Sequence, residues 1–336
     1  MFLNIFKLRK HPLGVISRDP IDIRDYQLIE IQPEEVGLPE KFNLRDKMTS
    51  IQDQHYGSCT SHSVDGVKEY LDKKEYGKEI KLSQKFIYYN TKKISELWDI
   101  EGDYLRNACK SVVKYGACLE NTFPDKKRLS WRKYVSEEPS EQAYQEAERY
   151  KAKTFWSVGN TLNEVRQAIY QQKAPVAIAM RWYKSYNRPA KDGRLSLPDK
   201  VVGGHAIDIV GWEKDNLWLR NSWGKPWGAD GYFYIPFDEF KKHDIWNARV
   251  ILDIEAPLPK ETEGWVADAW LRNEFTKGET AWTTYWLNLR TGPWNRVIKT
   301  LEPGEKVEIL GEKQKTDNLT WQKVRLERSQ PTNTIL

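Results

Sequence analysis

A cysteine, a histidine and an asparagine, far apart along the chain, are the residues here best equipped for covalent chemistry. Cys59 follows Gly57-Ser58 and opens an amphipathic run in which Val64, Val67 and Leu71 recur at helical spacing. A cysteine at a helix N-terminus faces the positive end of the helix dipole and unpaired backbone N–H groups, and both favour the reactive thiolate. Gly57 and Ser58 are small enough to let a substrate backbone come close. Gln54, just upstream, can donate its side-chain amide to an oxyanion, with the Cys59 N–H as second donor; one such donor is worth roughly 10²–10³ in rate. Taken alone, Gly-Ser-Cys describes a buried structural cysteine equally well.

The distant pair changes that balance. Gly203-Gly204-His205 opens an apolar strand running to Val210, and Asn221-Ser222-Trp223-Gly224 closes the strand Leu217–Arg220. The turn-like Glu213–Asn216 between them predicts a hairpin with His205 and Asn221 near its open end, in a register the pattern does not fix. An asparagine carbonyl accepting from one ring nitrogen leaves the other facing the thiol. Trp223 stands ready to shield that bond from water. Two other histidines compete: His62 lies on the same helix as Cys59 with no orienting partner in view, and His55 sits in the preceding loop, within reach of substrate.

With these residues in place, Gly57-Ser58-Cys59, Gly204-His205-Ala206 and Asn221-Ser222-Trp223-Gly224, followed by Trp227-Gly228 and Gly231-Tyr232, resemble the three active-site motifs of the papain family of cysteine peptidases, in the family's order. Leu82-Ser83-Gln84 and Lys114-Tyr115-Gly116 with Leu119-Glu120 and Phe123-Pro124 resemble landmarks of its bacterial and phage or viral members. The resemblance spans residues 38–253. It implies an α+β, two-lobed papain-like fold, with a helical left lobe and an antiparallel β right lobe. It also implies peptide-bond hydrolysis through an acyl-thioester, with Cys59 as nucleophile, His205 as base, Asn221 orienting it and Gln54 stabilising the oxyanion. Gly57, Ser58, Gly102, Gly204 and Trp223 become the expected substrate contacts. The family usually sets its glutamine six residues before the cysteine, whereas Gln54 is five before and Gln52 seven. Thr60 stands where many members carry tryptophan, and Tyr56 replaces a half-cystine.

The elements that must position these residues read as helices first and sheet later. Helical patterns cover Ser83–Leu97, Tyr104–Tyr115 and Leu162–Gln171; strands are expected at Pro175–Met180, Val201–Val210, Leu217–Arg220 and Tyr232–Ile235. At 336 residues the chain is too long for one ordinary core. Residues 1–37 read as an N-terminal arm or short pro-like strap, with partial cover of the cleft as the alternative. They are too few for the long inhibitory propeptide of lysosomal relatives. A linker is expected at 254–260. Residues 261–328, alternating and tryptophan-rich, resemble a bacterial SH3-like β-barrel, and 329–336 form a tail. A bacterial SH3-like domain implies a cell-wall peptide or protein ligand, for which Trp282 and Trp294 are candidate groove residues.

Composition narrows the rest. Fifty-three basic and 48 acidic residues leave a net charge of +5 with no basic block, which argues against nucleic acid. No run of about 20 apolar residues is present to span a membrane. Met1–Lys10 places its charge after its apolar residues, unlike a secretory signal. Cytoplasmic synthesis is expected, with later release or virion association left open. Three cysteines do not make a disulfide framework; Cys109 and Cys118, about 13 Å apart if helical, read as packing residues. No cofactor or metal is implied. The substrate is a polypeptide, with a murein peptide hydrolase or an inactive binding scaffold as alternatives.

Overall fold

The computed structural model describes residues 11–20, 25, 27–31, 34–126 and 129–253, and strands within 263–326. The chain divides into two compact units, one formed by residues 1–20 and 27–256, the other by 21–26 and 257–336.

In the first unit a single turn, α1 (Leu28–Ile31), precedes the central helix α2 (Cys59–Tyr76). Around α2 stand α3 (Gln84–Ser95) and α4 (Leu105–Lys114), the latter packing Leu105, Ala108, Cys109 and Val112 into one core with Val64 and Val67. Serine caps start α3, α5 (Trp131–Ser136) and α6 (Glu141–Ala147), and a Thr161–Glu164 capping box starts α7 (Leu162–Gln172). The sequence pattern missed α5 and α6, which are barely two turns each and too short to show a period. All three cysteines are buried and free. Tyr56 stacks on Tyr134 at 4.1 Å and donates its hydroxyl to Leu129 O at 2.7 Å.

The other lobe is an antiparallel sheet of β2 (Thr154–Ser157), β7 (Ile245–Leu252), β3 (Val176–Tyr183), β4 (Val201–Glu213), β5 (Asn216–Arg220) and β6 (Tyr232–Pro236) in that spatial order. The short β1 (Phe42–Asn43) pairs with β4. The β4–β5 hairpin carries both His205 and Asn221, and its register decides whether they can meet. Near the turn Gly211 pairs with Trp218, but beyond it Ile209 pairs with Leu219 and Asp208 with Arg220, so Val210 is bulged out. Because side chains alternate faces, this one-residue slip turns everything beyond it over. Without it, Asn221 would come level with Asp208, on the face opposite His205. With it, Asn221 comes level with Ile207 and shares the face of His205.

Gly211 makes the bulge possible. It adopts φ +142°, and a Cβ there would lie 2.2 Å from the carbonyl oxygen of Phe42 on β1. A side chain at this point would drive β1 off the hairpin.

The second unit forms an antiparallel sheet in the order β12 (Val297–Leu301), β11 (Leu287–Arg290), β8 (Glu263–Ala267), β14 (Leu319–Leu326), β13 (Lys306–Thr316), β10 (Thr280–Thr283) and β9 (Leu271–Arg272). Its core gathers Val266, Leu289, Val307, Ile309, Trp321 and Val324. The two outer strands do not pair with each other among the described residues, so a closed barrel is not seen. The expected linker 254–260, the tail 329–336 and Trp294 lie outside the described residues, as does the side chain of Trp282.

Substituting Gly211→Ala should destabilise the first unit by about 1–3 kcal/mol from backbone strain alone. The drop in the urea midpoint checks this.

Candidate active site

Helix α2 begins at Cys59 itself, whose side chain is wholly buried. On the facing hairpin, His205 Nε2 and Asn221 Oδ1 are 2.8 Å apart, which makes Nε2 the donor and leaves Nδ1 without a hydrogen-bond partner among the described residues. Ala206, next to His205, packs in the same buried core as Cys59, and its amide favours the thiolate. Trp223 covers the imidazole with ring centroids 4.6 Å apart, as its position after Asn221 suggests. Trp182 on β3 packs edge to face against both His205 at 4.8 Å and Trp223 at 4.9 Å. Sequence reasoning missed Trp182, because in an apolar strand it looks like any core residue.

Gln54 is buried and oriented from both ends. Its carbonyl oxygen accepts from Ser222 Oγ at 2.5 Å, and its amide nitrogen donates to Tyr56 O at 2.9 Å and to Pro12 O at 3.2 Å. Gln52, the alternative by spacing, is spent on Asp65. Ser222 was not anticipated either; its role follows only from the strand carrying it beside Gln54. Gly57 and Ser58 line the head of α2, with the Gly57 amide held by Glu101 Oε1 at 2.7 Å. Gly102, at φ +116°, donates its N–H to the Tyr88 hydroxyl at 3.0 Å. His62 is buried with Nδ1 3.0 Å from Ser58 O on its own helix, a structural contact away from Asn221. His55 is half-buried in the loop.

The cleft is filled by the chain's own arm. His11 stacks on Trp223 at 4.3 Å, and Pro12 offers its carbonyl to Gln54. Val15 N donates to Gly204 O at 3.1 Å, and Asp103 N donates to Gly14 O at 2.8 Å. Val15 and Asp103 form a parallel bridge, and Val15 is buried in the core that contains Cys59. Beyond the cleft, Arg18 pairs with Asp244 at 2.6 Å and Asp19 with the buried Arg249 at 3.0 Å. The arm therefore crosses the site instead of strapping the lobes from behind. Gly14 is indispensable to this path, since a Cβ there would lie 1.9 Å from Gly57 O. The Gly14 amide favours the thiolate form of Cys59.

Occlusion sets the protonation of the site. Burial pushes the Cys59 thiol up to about 11, against the pull of the Ala206, Gly14 and Thr60 amides. A helix N-terminus predicts a thiolate; loss of water under the arm outweighs it. Burial likewise pushes His205 down to about 3, with Asn221 opposing and the neighbouring His11 and His62 adding to the fall. Under the arm the pair is neutral thiol and neutral imidazole.

Comparison with known proteins supplies the family. Residues 38–251 match the family model for papain family cysteine proteases. The chain is similar to an uncharacterized peptidase C1-like protein of Acanthamoeba polyphaga mimivirus, 26% identical over 268 residues that cover 71% of this chain and 83% of that one. It is 28% identical over 213 residues to a cysteine protease of Blomia tropicalis, covering 59% of this chain and 61% of that protein. Among solved structures, xylellain, a cysteine protease from Xylella fastidiosa, matches with a TM-score of 0.62 at 26% identity, covering 75% of this chain and 100% of that one.

A histidine whose pKa is lowered in the closed state stabilises that state above its ordinary value and ceases to do so as pH falls toward about 3. Acidification from pH 7 to 4.5 should therefore open the arm. The hydrogen-exchange protection factor of the Val15 amide is expected to drop at least about tenfold over that interval; an unchanged factor would count against the link.

Proposed function

Because the chain belongs to the papain family of cysteine proteases, we propose that it hydrolyses polypeptides through Cys59, His205 and Asn221, and that the arm holds this site latent. The observation that carries the reading is the 2.8 Å His205–Asn221 contact, on a strand whose next residue, Ala206, packs in the same core as Cys59. Once the arm has left, water returns and the thiol proton passes to His205 Nδ1, giving thiolate and imidazolium. The thiolate attacks the scissile carbonyl carbon. The amide of Gln54, held by Ser222, and the Cys59 N–H receive the oxyanion. His205 then protonates the leaving amine, and water, deprotonated by His205, hydrolyses the thioester and restores the thiol.

Substrate backbone takes over the edges that the arm now uses. Gly204 O, Gly102–Asp103 and the small residues Gly57 and Ser58 offer it hydrogen bonds and close approach, and Trp223 lines its far side. We read residues 38–253 as the peptidase domain and 261–328 as an SH3-like recognition domain. Support for the latter is its tryptophan-rich, all-antiparallel composition, and its ligand class is a cell-wall peptide or protein.

Replacing Cys59 with Ala should abolish peptide cleavage with an unchanged melting temperature; full activity in that variant would sink the assignment. Gly14→Val places a branched side chain against Gly57 O and should expel the arm. Initial rates on a peptidyl-aminocoumarin are then expected to rise at least about tenfold over the parent chain. Alkylation of Cys59 at pH 6, where an ordinary thiol of pKa about 8.5 reacts sluggishly, should rise by a similar factor. Rates equal to the parent's would show that the arm does not restrain the site.

A further inference from the structure

On the far side of Trp223 from the Gly102–Asp103 edge, a cavity of about 470 Å³ opens past His11. Asp53, Asn187, Arg188, Lys191, Trp223 and Trp227 are among its lining residues. Its walls are held in place. Asn187 Oδ1 accepts from Trp182 Nε1 at 3.0 Å and Asn187 O accepts from Trp227 Nε1 at 3.3 Å, which fastens the segment bearing Arg188 and Lys191 to the tryptophans around His205. A tight turn, with Gly193 N donating to Ala190 O at 2.8 Å, fixes the far end of that segment.

The charged residues lining the cavity are basic on balance, Arg188 and Lys191 against Asp53. Arg188 and Lys191 are exposed, and neither side chain makes an ion pair or hydrogen bond among the described residues. Lys225, between the lining residues Gly224 and Pro226, is exposed as well. The nearby Asp192 is engaged by the Tyr234 hydroxyl at 2.9 Å and by the Arg194 amide at 3.0 Å. Asp53 is the acidic residue among those lining the cavity.

Position gives this charge a function. His205 must hand its proton to the leaving amine, and Trp223 lies directly over His205. In the peptidase reading the leaving half of a substrate lies beside His205, and the cavity past Trp223 is the space that adjoins it. We propose that Arg188 and Lys191 select substrates with acidic residues in the first positions after the cut bond. The proposal rests on the peptidase reading above, and it concerns side chains that the latent chain leaves unused. Two partly exposed cations acting on one carboxylate should favour it over a neutral residue by about fivefold, and disfavour lysine by a similar factor.

The test uses internally quenched peptides that share one acyl half and carry Asp, Gln or Lys in the two positions after the cut bond. They are run on the full chain and on its Gly14→Val variant, with a peptidyl-aminocoumarin reporting the chemistry of the site alone. The expected order of kcat/KM is Asp above Gln above Lys, compressed by added salt and inverted in the double variant R188E/K191E. Cleavage of the aminocoumarin without any preference for Asp overturns the proposal and leaves the peptidase reading standing. So does a preference for Asp that survives the double variant. Failure to cleave any of these substrates overturns the peptidase reading and this proposal with it.

Discussion

A buried polar seam between α2 and the β4–β5 hairpin is the contact on which the rest of the site depends. Ser63 Oγ donates to Asp208 Oδ1 at 2.6 Å, Asp208 faces Arg220 across the hairpin at 3.5 Å, and Arg220 reaches Thr49 and Ser50 O. Thr49 then donates to Glu69 at 2.7 Å, back on α2. Ser63 is one turn beyond Cys59, Asp208 is three residues beyond His205, and Arg220 is adjacent to Asn221. One network thus fixes all three side chains relative to one another. Gly66 lets it close, because a Cβ there would meet Arg220 Nη1 at 2.1 Å. A glycine inside a helix costs about 1 kcal/mol against alanine, and removing one partner from a buried charged pair costs about 3–5 kcal/mol. The second effect is the larger, so the helix accepts the glycine.

Burial governs the chemistry as strongly as geometry does. Asp208 is pushed up to about 7 by loss of water, with Arg220 opposing. The same effect keeps Cys59 and His205 neutral beneath the arm. A helix N-terminus and three amides favour the thiolate, yet they do so only as partial dipoles and cannot replace a lost hydration shell. Under the proposed function, latency is twofold. The arm blocks approach to the sulfur, and it also removes the solvent that a thiolate–imidazolium pair requires.

The tryptophans divide this labour. Trp223 and Trp182 both pack against His205 and against each other, while Trp227 packs edge-on against Trp223 at 5.5 Å and lines the adjoining cavity. Aromatic walls exclude water from a hydrogen bond without competing for it. Asn221 Oδ1 accepts from both the ring and the Ser222 amide, each at 2.8 Å, which fixes its orientation toward His205.

Much was legible before any coordinates. The head of α2 at Cys59, the later helices and the hairpin follow from apolar period and turn residues, since those patterns express burial on one face of an element. The order of Cys59, His205 and Asn221 pointed to the chemistry, because few other uses need those residue types together. Gln54 was ambiguous by spacing, and only the fold shows Ser222, remote in the chain, donating to its amide oxygen. The bulge at Val210, which puts Asn221 on the face of His205, depends on β1 pressing on Gly211. The path of the arm depends on Gly14 fitting against Gly57. The sequence by itself determined which residues carry reactive groups and which elements bear them, for these are local properties. The tertiary structure alone decided the register of the hairpin, the partner of Gln54 and the closing of the cleft, because each rests on close contact between segments remote in the chain.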